Sequence, residues 1–236
     1  DNGGGTVKLG FAGEATPQHT CPNAKARPKQ APSSNHAHTK TLIGRDILDA
    51  TDPAALVYRR SLERGCLVNW DTQVDVWNRA FAPDRLNLAS SLPETQLLLT
   101  EPPLCPAAIQ DTTDQMVFEH FGFAAYATRT PQALAAIAIA EQQQQAHPAA
   151  AVAATRVAAL VVDSGFSATH CVPVYGSTAL NYATKRLNVG GKMLTNHLKQ
   201  LVSYRAYNVM DETHLMHDVK ERLCYLSLAF ERELHL

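Results

Sequence analysis

The feature that most constrains this 236-residue chain is a carboxylate–glycine loop that occurs once in each half. Asp1-Asn2-Gly3-Gly4-Gly5 precedes an apolar, strand-like run, and Asp163-Ser164-Gly165 follows one. Glycine lets backbone N–H groups approach an anion closely, and a carboxylate can hold a divalent cation through water. Asp-Xaa-Gly is also a common turn, so one such loop is weak evidence. The pair predicts a clamp that grips a nucleotide between two related lobes.

Strand and helix patterns alternate in both halves, which predicts an α/β fold built twice. Strands are predicted at residues 5–13, 95–100, 157–162 and 169–175, and helices at 107–121 and 132–142. A further helix starts at residues 69–71, with Asp71 as a plausible N-cap. Two more helices follow Gly190-Gly191 and Asp211. Apolar spacing predicts their buried faces as Leu194, Leu198, Leu201 and Val202 on the first, and Leu215, Val219, Leu223, Leu226 and Phe230 on the second.

Composition excludes several classes of function. The formal net charge of −1 argues against broad nucleic-acid binding by charge alone. No apolar run is long enough to span a bilayer. The five cysteines include no Cys-x-x-Cys pair and are predicted to be reduced, mostly buried thiols. His36-x-His38 and His214-x-x-His217 lack further ligands nearby, so a zinc site is rejected at both.

Four other positions have a functional and an ordinary interpretation. Gln132, at a helix start, and His170, five residues after the second loop, can orient and deprotonate a water over a cleft, or can be ordinary hydrogen-bonding residues. Lys8 can point at phosphates or at solvent. Lys220-Glu221 can line a cleft and touch a base or ribose, or can be a solvated helix flank. Spacing alone does not choose between these interpretations.

Several ordered segments carry a family resemblance. The chain resembles the actin family over nearly its whole length, and its later part resembles a nuclear, actin-related branch of that family. The first resemblance rests on residues 1–14, 65–71, 100–104, 162–165, 169–170 and 220–225, and the second on residues 188–199, 203–205 and 209–214.

The resemblance implies an α/β, actin-like, duplicated-lobe nucleotide clamp, the fold that actins share with a class of chaperones and sugar kinases. The chain begins inside a motif and ends in a helical pattern, so a truncation before the C-terminal segment is expected. The implied subdomains are an outer-lobe base (1–28 and 67–142), an outer-lobe tip (29–66), a low-complexity linker (143–155), an inner-lobe base (156–185) and a small inner-lobe subdomain (186–236).

The resemblance also implies a site for ATP or ADP with Mg²⁺. Asp1 and Asp163 would hold the metal through water, and Gln132 and His170 would position the attacking water. The implied nucleotide-binding residues are Gly3, Gly4, Gly5, Lys8, Asp163, Gly165, Gly191, Lys220 and Glu221.

Two departures from the actin pattern bear on turnover. Gly4 stands where actin has a serine that meets the γ-phosphate, and Phe166-Ser167 replaces an Asp-Gly pair. These changes predict nucleotide binding with weak or no hydrolysis.

The implied function is that of a structural subunit of a SWR-type chromatin-remodelling complex, which exchanges a core histone for its Z-type variant. Its partners would be the remodeller ATPase scaffold and other subunits, with nucleosomes and histones contacted indirectly. No sequence-specific nucleic-acid binding, membrane association or filament formation is expected, and the compartment would be the nucleus, with some protein in the cytoplasm. A conventional filament-forming actin-like ATPase and a chaperone or sugar kinase are the alternatives.

Overall fold

The computed structural model describes residues 1–29, 41–52, 55–146 and 158–235, and the side chains of 143–146 are outside that description. The strands are β1 (Thr6–Leu9), β2 (His19–Pro22), β3 (Ala24–Pro28), β4 (Leu42–Ile43), β5 (Leu56–Arg60), β6 (Leu62–Glu63), β7 (Cys66–Leu67), β8 (Gln96–Thr100), β9 (Ala125–Arg129), β10 (Ala158–Ser164), β11 (Thr169–Tyr175), β12 (Thr178–Ala179) and β13 (Lys185–Leu187).

The helices are α1 (Trp70–Phe81), α2 (Ala107–Gln115), α3 (Pro131–Ala146), α4 (Gly191–Arg205), α5 (Thr213–Leu223) and α6 (Phe230–Leu234). Short 3₁₀ turns cover Gly44–Ile47, Leu92–Glu94 and Asn181–Ala183, and a π-helical segment covers Met116–Phe121. Among the helices described, none is long and apolar enough to cross a membrane. All five cysteines are free, but only Cys21 is buried, so the prediction that most of them are buried is wrong.

The first half consists of small sheets packed around helix α1. Strands β1 and β2 form an antiparallel hairpin, β3 lies between β4 and β5, and β8 pairs with β9 in parallel. An aromatic cluster fills the core, and its buried members are Trp77, Phe81, Leu86, Leu92, Val117, Phe121 and Phe123. Leu9 of β1, the strand that follows the first glycine loop, packs against this core.

The start of α1 differs in detail from its prediction. The N-cap is Asn69, whose side chain accepts a hydrogen bond from the Thr72 backbone N–H at 2.8 Å. Asp71 lies inside the first turn instead, where a carboxylate still interacts favourably with the helix dipole. The capping oxygen must belong to the residue whose backbone is still extended, and that residue is Asn69.

The second half begins with a long antiparallel pair. β10 and β11 align Asp163 with His170, and β13 adds to the other edge of β11. Val172 and Val174 on β11 are buried against Ala136 of α3. Helix α3 begins at Pro131 as predicted, and it continues through Ala146, into the segment predicted to be a linker. The rest of that segment, 147–155, lies outside the described residues, and so do residues 30–40 of the predicted outer-lobe tip.

The predicted buried faces of α4 and α5 are wrong. Leu194 and Leu201 are each 50% exposed, and Leu223 is 73% exposed. The α4 side chains that are buried are Thr195 and Lys199, and α5 buries Met216. Helix α5 ends at Leu223, so the predicted continuation through Leu226 and Phe230 does not form one face. Periodicity identifies the apolar side of a helix, but burial also needs a neighbour on that side.

We expect residues 1–236 expressed alone to self-associate and to bind a hydrophobic dye. Large contiguous apolar patches drive association, and apolar side chains of α4 through α6 are open to solvent. The measurement is dye fluorescence together with light scattering. A folded monomer with a sharp, cooperative thermal transition and no dye binding would contradict this expectation.

Candidate functional site

The two glycine loops face each other across a cleft of about 560 Å³. Residues from both halves of the chain line this cleft. Nine of the predicted site residues are among them: Asp1, Gly3, Gly4, Gly5, Lys8, Gln132, Asp163, Gly165 and His170. The structure therefore brings together in one cleft two loops that are more than 150 residues apart in sequence.

Side chains and backbone groups hold the first loop in place. The Asp1 carboxylate accepts a hydrogen bond from the Thr100 hydroxyl at 2.9 Å, and the Lys8 Nζ lies 3.4 Å from its other oxygen. The Asn23 side chain is fully buried and donates to the Gly3 carbonyl at 3.0 Å. Lys8 is thus neither a free surface lysine nor distant from the cleft, and its charge lies beside Asp1.

Gln132, Asp163 and His170 form a second cluster, on the wall opposite the first loop. The Gln132 amide Nε2 donates to the Asp163 carboxylate at 2.6 Å, and Asp163 lies opposite His170 across the strand pair. Burial, and then the nearby Arg186 cation, lower the pKa of His170, while Asp163 acts in the opposite direction. The imidazole is therefore mostly neutral at pH 7 and can accept a proton.

Two atoms of this cluster have no partner in the described part of the chain. These are Gln132 Oε1 and His170 Nε2, and both are buried. Buried polar atoms are normally hydrogen-bonded, so unpaired ones indicate a missing water or ligand. A role for Gln132 and His170 in positioning a water stays a prediction.

Phe166 and Arg60 connect the two loops. The Phe166 ring lies against Gly5, since a Cβ built on Gly5 would be 3.1 Å from that ring. The Arg60 guanidinium lies 4.5 Å from the ring centroid, and it donates to the carbonyls of Gly4 at 3.3 Å and Gly5 at 3.0 Å. Strand β5, the first loop and the second loop thus meet at one cation–π contact.

Arg60 also adds an electrostatic component. Burial lowers the pKa of its guanidinium, and in the part of the chain that the structure describes it forms no ion pair with a carboxylate. An unneutralised cation behind the first loop makes the neighbouring cleft more favourable for an anion.

Comparison with known proteins decides the family. Residues 1–235 match the actin family, which is almost the whole chain. The chain belongs to the actin family. The predicted fold class, a mixed α/β actin-like fold, is thereby confirmed. Members of this family generally bind nucleotides.

Relatives within the family are named actin-related proteins. The chain is 43% identical to Actin-related protein 6 of Arabidopsis thaliana over 236 residues, which is all of this chain and 53% of the relative. It is 41% identical to Actin-related protein 6 of Oryza sativa subsp. indica and 36% identical to Actin-like protein ARP6 of Cryptococcus neoformans, covering 51% and 44% of those proteins. The chain spans about half the length of the curated relatives it matches.

The remaining predicted nucleotide contacts lie beside the second loop instead of on the cleft wall. Gly191 begins α4, and its backbone N–H donates to the Gly165 carbonyl at 3.0 Å. The Lys220 Nζ lies 3.4 Å from the Gly191 carbonyl and 2.7 Å from the Glu221 carboxylate. The ion pair with Lys220 lowers the pKa of Glu221. A role for these three residues in contacting a nucleotide stays a prediction.

The residues present fit a magnesium–nucleotide complex, the group that the actin family implies. Asp1 and Asp163 supply carboxylates from opposite walls, and Lys8 adds a cation. The first loop contributes backbone N–H groups at Gly3, Gly4 and Gly5, and two buried polar atoms in the opposite cluster lack partners. Oxygen donors of this kind suit Mg²⁺. Within the described residues no group of three or more His, Cys, Asp and Glu side chains could hold a metal by itself, so phosphate oxygens and water would complete the shell.

Sequence reasoning missed Arg60, Thr100 and Asn23 as parts of this site. Thr100 lay in a motif of the family resemblance, but nothing in that motif shows that its hydroxyl reaches Asp1. Arg60 stands beside Arg59 in a strand pattern, and adjacent strand residues point to opposite faces. No local signal shows which of the two arginines turns toward the loops.

A second cavity of about 930 Å³ shares Leu62 and Phe166 with the first, and two contacts lie beside it. Tyr58 of β5 stacks on His214 of α5 with ring centroids 5.1 Å apart, and the Lys29 Nζ lies 2.7 Å from the Glu212 carboxylate. These contacts join Lys29 and Tyr58 of the first half of the chain to Glu212 and His214 of the second half. We call this pair of contacts the tip latch.

The tip latch predicts a pH dependence of stability. Burial is the largest cause of the lowered pKa of His214. As the pH falls, the unfolded chain therefore binds a proton at this histidine at a higher pH than the folded protein does. Its contribution to stability is complete above pH 6.5, the ordinary histidine pKa, and is lost as the pH falls below that value.

We therefore expect the full-length protein to melt at a lower temperature at pH 5.5 than at pH 7.5. His214→Phe should retain the stack and reduce this difference, whereas the matched change at the exposed His197, His197→Phe, should not. An equal pH dependence in the two variants would exclude His214 as a contributor.

Proposed function

We propose that this chain is part of a nucleotide-binding, actin-related structural subunit of a SWR-type chromatin-remodelling complex, with weak or no hydrolysis. The observation that carries the proposal is the cleft between two intact Asp–Gly loops, one of which carries Phe166-Ser167. Relatives of this chain named Actin-related protein 6 support the assignment to such a subunit.

Binding would use groups from both walls of the cleft. The first loop presents backbone N–H groups, and Lys8 adds positive charge near the phosphates. Asp1 and Asp163 would hold the hydrated metal, which would neutralise phosphate charge when bound. Hydrogen bonds from Thr100 and Gln132 orient these carboxylates before any ligand arrives. A ligand that binds only the folded clamp also stabilises it.

Hydrolysis would be slow because positioning and charge stabilisation supply most of the catalysis of phosphoryl transfer. Gln132 and a neutral His170 can align a water and take up its proton. Phe166, however, places an apolar ring in the second loop, where the actin pattern has an acid. The ring contacts Arg60 and Gly5, so it is held in that position.

The proposed partners are the remodeller's ATPase scaffold and its other subunits, with nucleosomes and histones contacted through them. The net charge of −1 favours protein partners over direct, sequence-specific nucleic-acid binding. Residence in the nucleus, with some protein in the cytoplasm, belongs to the same proposal. The hydrogen bond between Gln132 and Asp163 would also suit a protein that hydrolyses ATP. The alternative function is therefore a conventional filament-forming actin-like ATPase.

The test is affinity purification of tagged full-length protein from nuclear extract, followed by identification of its partners by mass spectrometry. A remodeller ATPase recovered in stoichiometric amount, absent from a tag-only control, is the expected result. Sedimentation with ATP and magnesium, with muscle actin as a positive control, distinguishes the proposed function from the filament-forming alternative. Pelleting filaments without remodeller subunits would replace the proposal with that alternative.

A further inference from the structure

The hydroxyl of Ser167 occupies the space that a side chain at Gly4 would need. A Cβ built on Gly4 would lie 2.4 Å from Ser167 Oγ, a distance that real Cβ atoms essentially never show. Both residues line the cleft between the loops. Ser167 is half-buried, and its hydroxyl makes no hydrogen bond to any other described residue.

This contact, and not the backbone conformation, opposes a side chain at position 4. Glycines that need their special freedom have a φ in the left-handed region, as Gly65 does at +84°. Gly4 is outside that region, so alanine or serine would be sterically allowed there if Ser167 were absent. The two positions are therefore coupled, because a side chain at position 4 would displace the Ser167 hydroxyl from its present position.

We propose that Ser167 is a ligand-contacting residue that donates its hydroxyl hydrogen bond to a phosphate oxygen of the bound nucleotide. This inference rests on the proposed nucleotide binding. A free hydroxyl held between two loops rich in backbone N–H groups suits an acceptor-only group such as phosphate. The second loop thus supplies a side-chain donor beside Gly3, Gly4 and Gly5, which have none.

The test uses variants at positions 4 and 167. Nucleotide-free full-length protein is titrated with ATP and magnesium, and the affinity is measured. Ser167→Ala should weaken ATP binding about 10- to 100-fold, the usual effect of losing a hydrogen bond to a charged group. Its melting temperature without nucleotide should stay that of the unmodified protein. Ser177→Ala is the matched control, since Ser177 is exposed and lies at the far end of β11 from the second loop.

Two more variants test the coupling. Gly4→Ser should weaken ATP binding because its Cβ displaces the Ser167 hydroxyl, and adding Ser167→Gly to it should restore affinity to within about threefold of the unmodified protein. Unchanged ATP affinity in Ser167→Ala would overturn the inference, and so would a double variant that binds no better than Gly4→Ser. If the unmodified protein binds neither ATP nor ADP at millimolar concentration, the proposed function fails, and this inference with it.

Discussion

Replacing Asp163 with alanine is expected to reduce the affinity of the full-length protein for magnesium-bound nucleotide by a factor of about 100 or more, roughly 2.8 kcal/mol. The change removes a carboxylate that faces the cleft. It also leaves the Gln132 amide, which is only 1% exposed, without the acceptor it now contacts at 2.6 Å. A buried donor that loses a charged partner costs its full desolvation penalty.

The measurement is a calorimetric titration with ATP in magnesium and again in excess chelator. Asp111→Ala is the matched control, because that carboxylate is exposed on α2. In the unmodified protein, chelation should weaken binding, whereas in Asp163→Ala it should make little further difference. An Asp163→Ala protein that binds within threefold of the unmodified one would show that the second loop does not hold the metal.

Single-turnover hydrolysis by the unmodified full-length protein is expected to be slower than that of conventional actin by a factor on the order of 10²–10³, the typical effect of losing one well-placed electrostatic group. The missing group is an acid in the second loop, where Phe166 stands. Gln132 and His170 remain in the cleft, so we expect slow turnover instead of none. Hydrolysis at the rate of conventional actin would refute this prediction.

Restoring the acid requires a design that takes account of Arg60. In Phe166→Asp alone, the new carboxylate would lie beside the Arg60 guanidinium, now 4.5 Å from the ring centroid, and would pair with it. We therefore expect the larger gain in rate from Phe166→Asp combined with Arg60→Gln. Arg59→Gln is the control, since Arg59 is the neighbouring arginine on the same strand and is exposed. If the combined variant hydrolyses ATP no faster than the unmodified protein, the cause of slow hydrolysis lies elsewhere in the cleft.

The sequence predicts those parts of the fold that depend on local pattern. Strand β11 has the predicted bounds, Thr169–Tyr175, because alternation and flanking turns define a strand locally. The convergence of Asp1, Gln132 and His170 was predictable only through the family resemblance, since their separations in sequence carry no spatial information. Their presence in one cleft agrees with that expectation.

The missed features depend on contacts between distant segments. The outward faces of α4 and α5 have the right period, but the described chain places no neighbour against them. The overlap of Gly4 with Ser167 joins two positions that are far apart in the chain, and each looks ordinary alone. Arg60 is similar, because its role comes from two carbonyls and a ring that belong to other segments.

The junction of Arg60 with Phe166 and the first loop has a consequence for how such proteins diverge. A smaller residue at 166 would remove the ring over the guanidinium, and a neutral residue at 60 would release two loop carbonyls. Either change alone breaks the cation–π contact that joins the two loops. The two positions should therefore be inherited as a set, and lineages that regain an acid in the second loop should have exchanged the arginine as well.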